Sequence, residues 1–391
     1  MSKKHFFGFA ALEISFWCFH ACFICYASAY FLDIGISSTA VSLLLAGYML
    51  CAFIGSIVWG SVCDALGTNK RVFLIGVIAA AALMFLIYAS GSNLAVLAIA
   101  YPLLGFFFLP QSANAESWIL AACDHDQKIY GQIRSTPSFV YAFCAALIGR
   151  LITVYGYGVM VVGAAAFAVC VVVSAIALPD CAKVKAAQRR QITVQDYAGL
   201  LSNTHYRKLI VLLFLSSLAF SPVNNLKIII LERVGGNVSH VGLDSFACAM
   251  TQVPFFLFAG LLSRIPLRVR YAVMTGLPVL MIAMCMEASA PMMVIAGSVA
   301  FNAGYGMMIP TMREVTERYV PEHLRNLGHS LSDSVQNSFA AVISLSYAGV
   351  IVDGFGVRAM LALCLAIAVL AFAVSLFGKS EKTKRENEAH E

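Results

Sequence analysis

The 391-residue sequence predicts an all-α polytopic membrane protein with twelve transmembrane helices in two pseudo-symmetric six-helix bundles. Three observations support this fold class. Hydrophobic residues make up 60% of the chain and charged residues only 12%, with a mean hydropathy of +0.83. About a dozen apolar runs have the length, roughly 20 residues, that a helix needs to cross a hydrocarbon core. Several residues recur at a constant offset, which indicates an internal duplication.

The predicted helices follow one another with short polar connections. Helices 1 to 6 are expected at residues 6–32, 40–62, 71–90, 94–121, 132–153 and 157–178. Helices 7 to 12 are expected at residues 208–232, 241–263, 270–288, 291–317, 328–350 and 357–377. We therefore expect an N-terminal bundle at residues 1–178, a central loop at 179–207, a C-terminal bundle at 208–378 and a charged, disordered tail at 379–391.

Basic residues lie mostly on one side of this topology. That side carries both termini and the central loop, whereas the other side has only Arg150, Arg233 and Arg358. The positive-inside rule therefore predicts that both termini and the central loop are cytoplasmic. No cleavable signal peptide is expected, because the first apolar run is too long. We expect the protein in a plasma membrane, for a bacterium the inner membrane.

The sequence also argues against several function classes. The net charge of +6 comes from basic residues in the loops. It therefore indicates which loops are cytoplasmic and does not indicate a nucleic-acid partner. The twelve cysteines are scattered through apolar runs without metal or disulfide spacing. The chain shows no nucleotide-binding glycine loop and no nucleophile constellation, and residues 179–207 are too few for a nucleotide-hydrolysing domain. We expect no cofactor, no metal and no enzymatic activity.

The two predicted bundles repeat each other. Residues of the first half recur 200 positions later in four helices and their loops, as Gly60 and Gly260, Asp64 and Arg264, Lys70 and Arg270, Pro110 and Pro310, Gly149 and Gly349, and Gly156 and Gly356. One such match would be chance, but a shared offset indicates duplication of a six-helix unit. Two parallel halves with a site between them near the bilayer midplane are a transporter architecture.

The loop after helix 2 reads GSVCDALGTNKR. Its glycines allow close helix packing and a tight turn, and its basic residues hold the loop at the cytoplasmic face. With its G-x3-D-x2-G spacing, the sequence here resembles the major facilitator superfamily. The resemblance implies a gating loop that contains Gly60, Asp64, Gly67, Lys70 and Arg71. Asn69 stands where the family often has Arg, and the second copy of the loop is degenerate.

Two charges interrupt the apolar runs of helices 4 and 5. Glu116 and Arg134 each lie nine residues from the middle of the polar turn at residues 124–128. At about 1.5 Å per residue both reach roughly 13 Å deep, close to the centre of a core about 30 Å thick. A charge at that depth is costly unless it is paired or faces a wet cavity. The pair therefore indicates a polar substrate site, or an ion pair that only fixes helix 4 against helix 5.

Arg134 follows Glu116 by eighteen residues, and an aromatic residue, Tyr141, lies two helical turns after Arg134. With this spacing the sequence resembles the lactose permease-like group of oligosaccharide:proton symporters. The resemblance implies that Glu116 accepts hydrogen bonds from sugar hydroxyls, that Arg134 donates them, and that Tyr141 stacks on the sugar ring. Ser138 shares the helical face of Arg134 and Tyr141, at i, i+4 and i+7. Asn114 is a further candidate on helix 4.

The second half departs from that group. Helix 9 lacks its arginine, and the outer part of helix 10 has only Tyr305 as a titratable group. Asn224 and Lys227 stand where helix 7 of the group has two aspartates, and the helix 11 lysine falls near Asn337. We include Asn224, Lys227 and Asn337 among the candidate solute-binding residues.

Other polar groups inside the predicted helices are candidates for proton coupling. Glu13, Trp17 and His20 share one face of helix 1, where Glu13 and His20 could relay protons. Alternatively, Glu13 lies near the cytoplasmic interface and His20 bonds a backbone carbonyl. Asp333 on helix 11 is a candidate counter-charge for Lys227, which could instead snorkel to the interface. Arg313, Glu314 and Glu317 are expected to form a gate or packing network.

These observations favour a secondary transporter that moves a polar, hydroxylated solute by alternating access. The solute would be a sugar, an oligosaccharide or a nucleoside, carried with a proton by a monomer embedded in the lipid bilayer. An alternative is an efflux carrier for drugs or a carrier for organic anions, in which Arg134 and Lys227 hold a carboxylate. A membrane enzyme or receptor is a third possibility, which the repeat disfavours.

Overall fold

A computed structural model of the chain describes residues 3–124, 126–180, 193–257 and 264–377. Over these residues the protein is helical and contains no β-strand, which confirms the predicted all-α class. Eleven helices in the described part are long and apolar enough to cross a membrane. Helix 8 is described only as far as Leu257, and the predicted tail at 379–391 lies outside the described residues.

The helices of the first half lie close to their predicted positions. Helix 1 consists of Lys3–Phe23, a 3₁₀ turn at Ile24–Tyr26 and Ala27–Asp33, and helix 4 consists of Leu94–Phe108 and Pro110–Ala122. The other four are helix 2 at Ser38–Leu66, helix 3 at Asn69–Ala89, helix 5 at Gln127–Tyr155 and helix 6 at Gly158–Ala177.

The second half contains the remaining helices. Helix 7 consists of Thr204–Asn225 and Lys227–Arg233, followed by helix 8 at Val238–Leu257, helix 9 at Leu267–Glu287 and helix 10 at Pro291–Tyr319. Helix 11 consists of Arg325–Ser334, a π turn at Val335–Phe339 and Ala340–Phe355, and helix 12 is Val357–Leu376.

The predicted central loop at 179–207 is partly helical. A short helix, Val194–Ser202, begins at a capping box in which Thr193 and Asp196 satisfy each other's backbone amides. Helix 7 then begins at Thr204, four residues before the predicted start. The side chain of Asn203 accepts hydrogen bonds from the amides of His205 and Tyr206, and this cap explains the earlier start.

The backbone repeats at the offset seen in the sequence. Helices 1 and 7 are both interrupted, at Tyr26 and at Leu226. The turns after them contain Gly35 and Gly235, and both glycines have a positive φ, of 86° and 77°. This left-handed conformation strains residues that carry a Cβ, so both turns need glycine. The two halves are therefore copies of one six-helix unit.

The loop between helices 2 and 3 is hydrogen-bonded to the end of helix 6. Gly67 ends helix 2 with a φ of 64°, and the Thr68 hydroxyl donates to Asp180 at 2.8 Å. The Lys70 ammonium donates to the carbonyls of Ile176 at 3.0 Å and Leu178 at 2.5 Å. Arg71 and Asp64 are exposed, and Gly60 has open space where a Cβ would lie. The gating role of this loop stays a prediction.

The two halves contact each other at the end of the molecule that carries the turns at Gly35 and Gly235, here called the closed end. Helix 2 packs on helix 11, and the Gly349 amide donates to the Ser42 hydroxyl at 3.1 Å. Asp353 accepts from the Thr39 hydroxyl at 2.6 Å and the Thr39 amide at 2.7 Å. Helix 5 packs on helix 8, where Gly242 lies against the backbone of Ala145.

At the opposite end lie the start of helix 1, the helix 2–3 loop, the Val194–Ser202 helix and the end of helix 12. We call it the basic end. Hydrogen bonds that join described residues of one half to described residues of the other lie at the closed end. The halves are therefore joined at one end of the molecule, as expected for one access state of a two-bundle transporter.

The close approach at Gly349 gives a test of this state. A Cβ at Gly349 would overlap the Ser38 carbonyl oxygen and the Ser42 hydroxyl. Overpacking of this kind costs about 1–3 kcal/mol, which shifts a two-state population by roughly 5–150-fold. We expect Gly349→Val to open the closed end. Alkylation of a cysteine placed at the buried Ser42, read by mass spectrometry of its peptide, should become correspondingly faster.

Gly354→Val is the matched control for this experiment. Gly354 lies on the same helix, and a Cβ at this position would have no other atom within 4 Å. The labelling rate at position 42 should stay at the background value in that variant. Equal rates in the two variants would contradict the assigned contact.

Candidate functional site

Arg134 lies at the centre of a charged cluster in the N-terminal half. Its Nε is 3.0 Å from Glu116 Oε1, and its Nη1 is 3.7 Å from Glu13 Oε2. Its guanidinium carbon is 5.1 Å from the ring centroid of Trp17, a cation–π distance. Helices 1, 4 and 5 thus bring two carboxylates and one aromatic face to a single guanidinium. The sequence predicted the Glu116–Arg134 pair but not this third partner.

Glu13 is buried in the cluster, where it contacts Arg134 of helix 5. It is 2% exposed, whereas the Glu116 and Arg134 side chains are 36% and 34% exposed. The Trp17 indole donates to Glu13 Oε2 at 3.2 Å across one helical turn. This bond fixes the carboxylate on the face of helix 1 that contacts helix 5.

Aromatic side chains continue the site beyond the charges. The Tyr141 ring is 6.3 Å from Trp17 in an edge-to-face arrangement and 6.0 Å from the His20 ring. The Tyr141 hydroxyl is 3.1 Å from Cys25 Sγ. His20 stacks on Phe108 at 5.8 Å, and its Nδ1 is 4.0 Å from Cys25 Sγ. The predicted candidates His20 and Tyr141 are therefore neighbours, at the side of the cluster nearer the closed end.

Ser138 and Asn114 differ in their placement. Ser138 is half-buried on helix 5, on the face that carries Arg134 and Tyr141. Asn114 is buried, donates to Gln111 at 2.9 Å and accepts from Cys63 of helix 2 at 3.4 Å. It lies two residues from Glu116, which is about 200° around a helix of 3.6 residues per turn. The expectation that Asn114 faces the site is therefore wrong.

Lys227 is paired with Asp244, and its predicted pairing with Asp333 is wrong. The Lys227 Nζ is 2.5 Å from Asp244 Oδ2 and 3.3 Å from Asn224 Oδ1. Asp333 instead pairs with Arg313 of helix 10 at 3.1 Å. Asp244 is an acid inside the apolar run of helix 8. A charge inside an apolar run was the criterion that selected Glu116 and Arg134, and it would also have selected Asp244.

Helix 8 continues from Asp244 as a polar stripe with a spacing of four residues. Cys248 Sγ donates to Asp244 Oδ2 at 3.7 Å. Gln252 donates to Asn302 Oδ1 of helix 10 at 2.5 Å. Asn224 and Asn337, the other candidates of this half, are exposed, and Asn337 lies in the π turn of helix 11.

Arg313 and Asp333 occupy the repeat positions of Glu116 and Arg134 with the charges exchanged. Helices 4 and 10 span Leu94–Ala122 and Pro291–Tyr319, so both of their ends are offset by 197 residues, which relates Glu116 to Arg313 and does not relate Pro110 to Pro310. Helices 5 and 11 end at Tyr155 and Phe355, an offset of 200. The π turn accommodates one additional residue, so the offset before it is 199, which relates Arg134 to Asp333. Each half therefore carries one ion pair between these two corresponding helices, with the two charges exchanged.

The remaining charges of helix 10 form a network within the second half. Arg270 is buried and binds Glu314 through two nitrogens at 2.7 and 2.9 Å. Glu317 contacts His329 at 2.8 Å and Arg325 at 3.3 Å. Glu314 and Glu317 thus link helix 10 to helices 9 and 11.

A family comparison agrees with this architecture. The model of the MFS_1-like family matches residues 4–363. The chain belongs to this family of major facilitator proteins. It is therefore an integral membrane transporter and not an enzyme, as the sequence predicted.

Two further comparisons support the assignment. A maltose permease of Geobacillus stearothermophilus is 24% identical over 337 residues, which cover 84% of this chain and 83% of the permease. The crystal structure of the nucleoside transporter NupG superposes with a TM-score of 0.80 at 13% identity, covering 95% of this chain and 97% of that chain. An alanine mutant of NupG superposes with a TM-score of 0.82. The major facilitator fold is confirmed.

The burial of Glu13 predicts an order of stabilities. Removing one partner of a buried ion pair costs about 3–5 kcal/mol, and the partial exposure of Arg134 reduces that value. Arg134→Gln should lower the thermal unfolding midpoint in detergent, because Glu13 loses its counter-charge. Adding Glu13→Gln should restore part of the loss, whereas adding Glu116→Gln should restore little, because Glu116 is hydrated. Greater rescue by Glu116→Gln would contradict the geometry.

Proposed function

We propose that this major facilitator protein carries a neutral, hydroxyl-rich solute, a sugar, oligosaccharide or nucleoside, together with a proton. The observation that carries the proposal is the Arg134 cluster, in which two carboxylates and the Trp17 ring contact one guanidinium and the Tyr141 ring lies beside Trp17. The protein would act as a monomer in the plasma membrane, in a bacterium the inner membrane. Both termini, and hence the basic end, would be cytoplasmic.

The cluster has the chemistry to bind hydroxyl groups. Glu116 is about one-third exposed and can accept hydrogen bonds from a diol through its free lone pairs. The guanidinium of Arg134 has five N–H donors, more than its two carboxylate contacts use. Hydrogen bonds to charged groups are stronger than those between neutral groups. The rings of Trp17 and Tyr141 offer surfaces for the apolar face of a sugar or for a base.

The charges around the site disfavour an organic anion. Arg134 lies between Glu13 and Glu116, so the cluster is formally negative. Lys227, the other cation considered for a carboxylate, is already held by Asp244. A carboxylate ligand would meet two like charges at the first site and would have to displace an ion pair at the second. A neutral hydroxylated solute meets neither obstacle.

The relatives support the same solute class. One is named a maltose permease and the other a nucleoside transporter, and both solutes present several hydroxyls on a ring. With the basic end in the cytoplasm, the closed end would be extracellular and the described conformation would face inward. Alternating access would then close the halves at the basic end and release the contacts at Gly349 and Gly242.

Uptake into proteoliposomes tests the proposal. Wild-type protein should exchange radiolabelled maltose or uridine, and Glu116→Gln and Arg134→Lys should each weaken binding of the transported solute. A hydrogen bond to a charged group contributes about 1.5–3 kcal/mol, so we expect a rise in half-saturation concentration of roughly 10–100-fold. Tyr141→Phe should be mild and Tyr141→Ala severe, because the ring supplies the stacking surface.

Glu322→Gln is the matched control, since Glu322 is an exposed carboxylate in a 3₁₀ turn before helix 11. Its exchange rate should equal that of the wild type. Unchanged exchange in both Glu116→Gln and Arg134→Lys would refute the assigned site. Inhibition by aromatic or aliphatic carboxylates, with none by neutral sugars or nucleosides, would instead favour an anion carrier.

A further inference from the structure

The Lys227–Asp244 pair is the most deeply buried ion pair among the described residues. Lys227 is 5% exposed and Asp244 is 3% exposed, and their charged atoms are 2.5 Å apart. Burial of two charges is tolerated only while each has its partner. Asp244 is nevertheless incompletely satisfied, because its Oδ1 has no hydrogen-bond partner. The pair thus contains a vacant carboxylate oxygen in an apolar setting.

The surroundings of the pair suit a proton better than a metal cation. The charged and titratable groups nearest to it are Cys248 on helix 8, Cys285 on helix 9, Arg233 on helix 7, and Tyr26 and Tyr141, which face helix 8 from the N-terminal half. Helix 10 presents the neutral Asn302. Asp244 is the only carboxylate in this described group. Hard metal cations require several oxygen ligands, and here the nearest groups to Asp244 are an ammonium and a thiol.

The pair also connects two parts of the transporter that must move relative to each other. Lys227 is the first residue of helix 7 after the interruption at Leu226. Asp244 lies two residues after Gly242, which packs against the Ala145 backbone of the N-terminal half. Breaking the pair would free the end segment of helix 7 from helix 8 at the contact that holds the closed end together.

We propose that Asp244 is the proton-binding group that couples proton movement to solute movement, with Lys227 as its switch; this inference rests on the proposed symport. A proton from one side of the membrane binds Oδ1 of Asp244, and the carboxylate becomes a neutral acid. Lys227 keeps its own proton and turns to the exposed Asn224, whose Oδ1 is already 3.3 Å away. Its ammonium can then donate to a solute hydroxyl. When the solute leaves on the other side, Asp244 returns its proton there and the ion pair forms again. One proton therefore crosses with each solute molecule.

The proposal separates two transport activities. Exchange of labelled for unlabelled solute needs no net proton transfer, whereas accumulation against a gradient does. With one proton per solute, a difference of one pH unit supports up to about a tenfold accumulation. We expect Asp244→Asn to retain exchange of the probe that the wild type carries, maltose or uridine, but to accumulate it only to an internal-to-external ratio of about one.

A second variant covers the risk that an unpaired Lys227 prevents folding. Lys227→Gln combined with Asp244→Asn removes both charges and leaves two neutral hydrogen-bonding side chains of similar size. It should also exchange solute, with a higher half-saturation concentration because the Lys227 ammonium donor is lost, and it should not accumulate solute. Glu287→Gln, an exposed carboxylate at the end of helix 9, is the control and should accumulate solute as the wild type does. Either Asp244 variant accumulating solute at the wild-type ratio, or wild-type accumulation that follows sodium and not pH, would overturn the proposal.

A spectroscopic measurement makes the test independent of transport. Infrared difference spectra of the purified protein between high and low pH should contain the carbonyl band of a protonated carboxylic acid. The Asp244 contribution to that band should be missing in Asp244→Asn and present in Glu287→Gln. An identical band in wild type and Asp244→Asn refutes proton binding at Asp244. Absence of any sugar or nucleoside exchange by the wild type refutes the proposed function instead, so the two failures are distinguishable.

Discussion

The structure depends on the cost of placing a charge in a hydrocarbon environment. Arg134 is stable on helix 5 because helices 1 and 4 each bring a carboxylate to it, at 3.7 and 3.0 Å. The same constraint pairs Lys227 with Asp244 and Arg270 with Glu314. The contact of Glu13 with Arg134 joins helices 1 and 5, which are distant in sequence, whereas the other pairs join consecutive helices and fix how these pack against each other. The half-exposed Arg134 cluster is the one that we propose binds solute, whereas the buried Lys227–Asp244 pair is the one that we propose opens when Asp244 takes up a proton.

The two halves use this constraint differently, although they are copies of one unit. The first half has a three-member charged cluster beside aromatic rings, which is suited to recognising a ring with hydroxyl groups. The second half has a two-member buried pair and a polar stripe on helix 8, which contacts the first half at Gly242. In the mechanism that we propose, solute recognition depends mainly on the first half and proton coupling on the second, and the contacts between the halves link them.

Most of the fold could be predicted from the sequence, because apolar run length, loop charge and the repeat are local properties. The Glu116–Arg134 pair could be predicted too, since both charges lie at equal distances from one turn. The partners of Glu13, Lys227 and Asp333 could not, because they depend on how the helices pack and rotate against each other. Asn114 was misplaced for a simpler reason, as two residues along a helix turn a side chain to the opposite face. Asp244 was missed although its position inside an apolar run marked it.

The π turn in helix 11 changes how the two repeats correspond. Helices 5 and 11 match at an offset of 200 residues beyond the π turn, but at an offset of 199 before it. A one-residue slip rotates a side chain by about 100° around a helix, so a fixed alignment would equate Arg134 with Ser334 instead of Asp333. The other access state can be built by giving each half the conformation of the other half. Such a construction must keep the additional residue that the π turn adds to helix 11. Without it, the charge that mirrors Arg134 would lie about 100° away around helix 11, off the face on which Asp333 contacts Arg313.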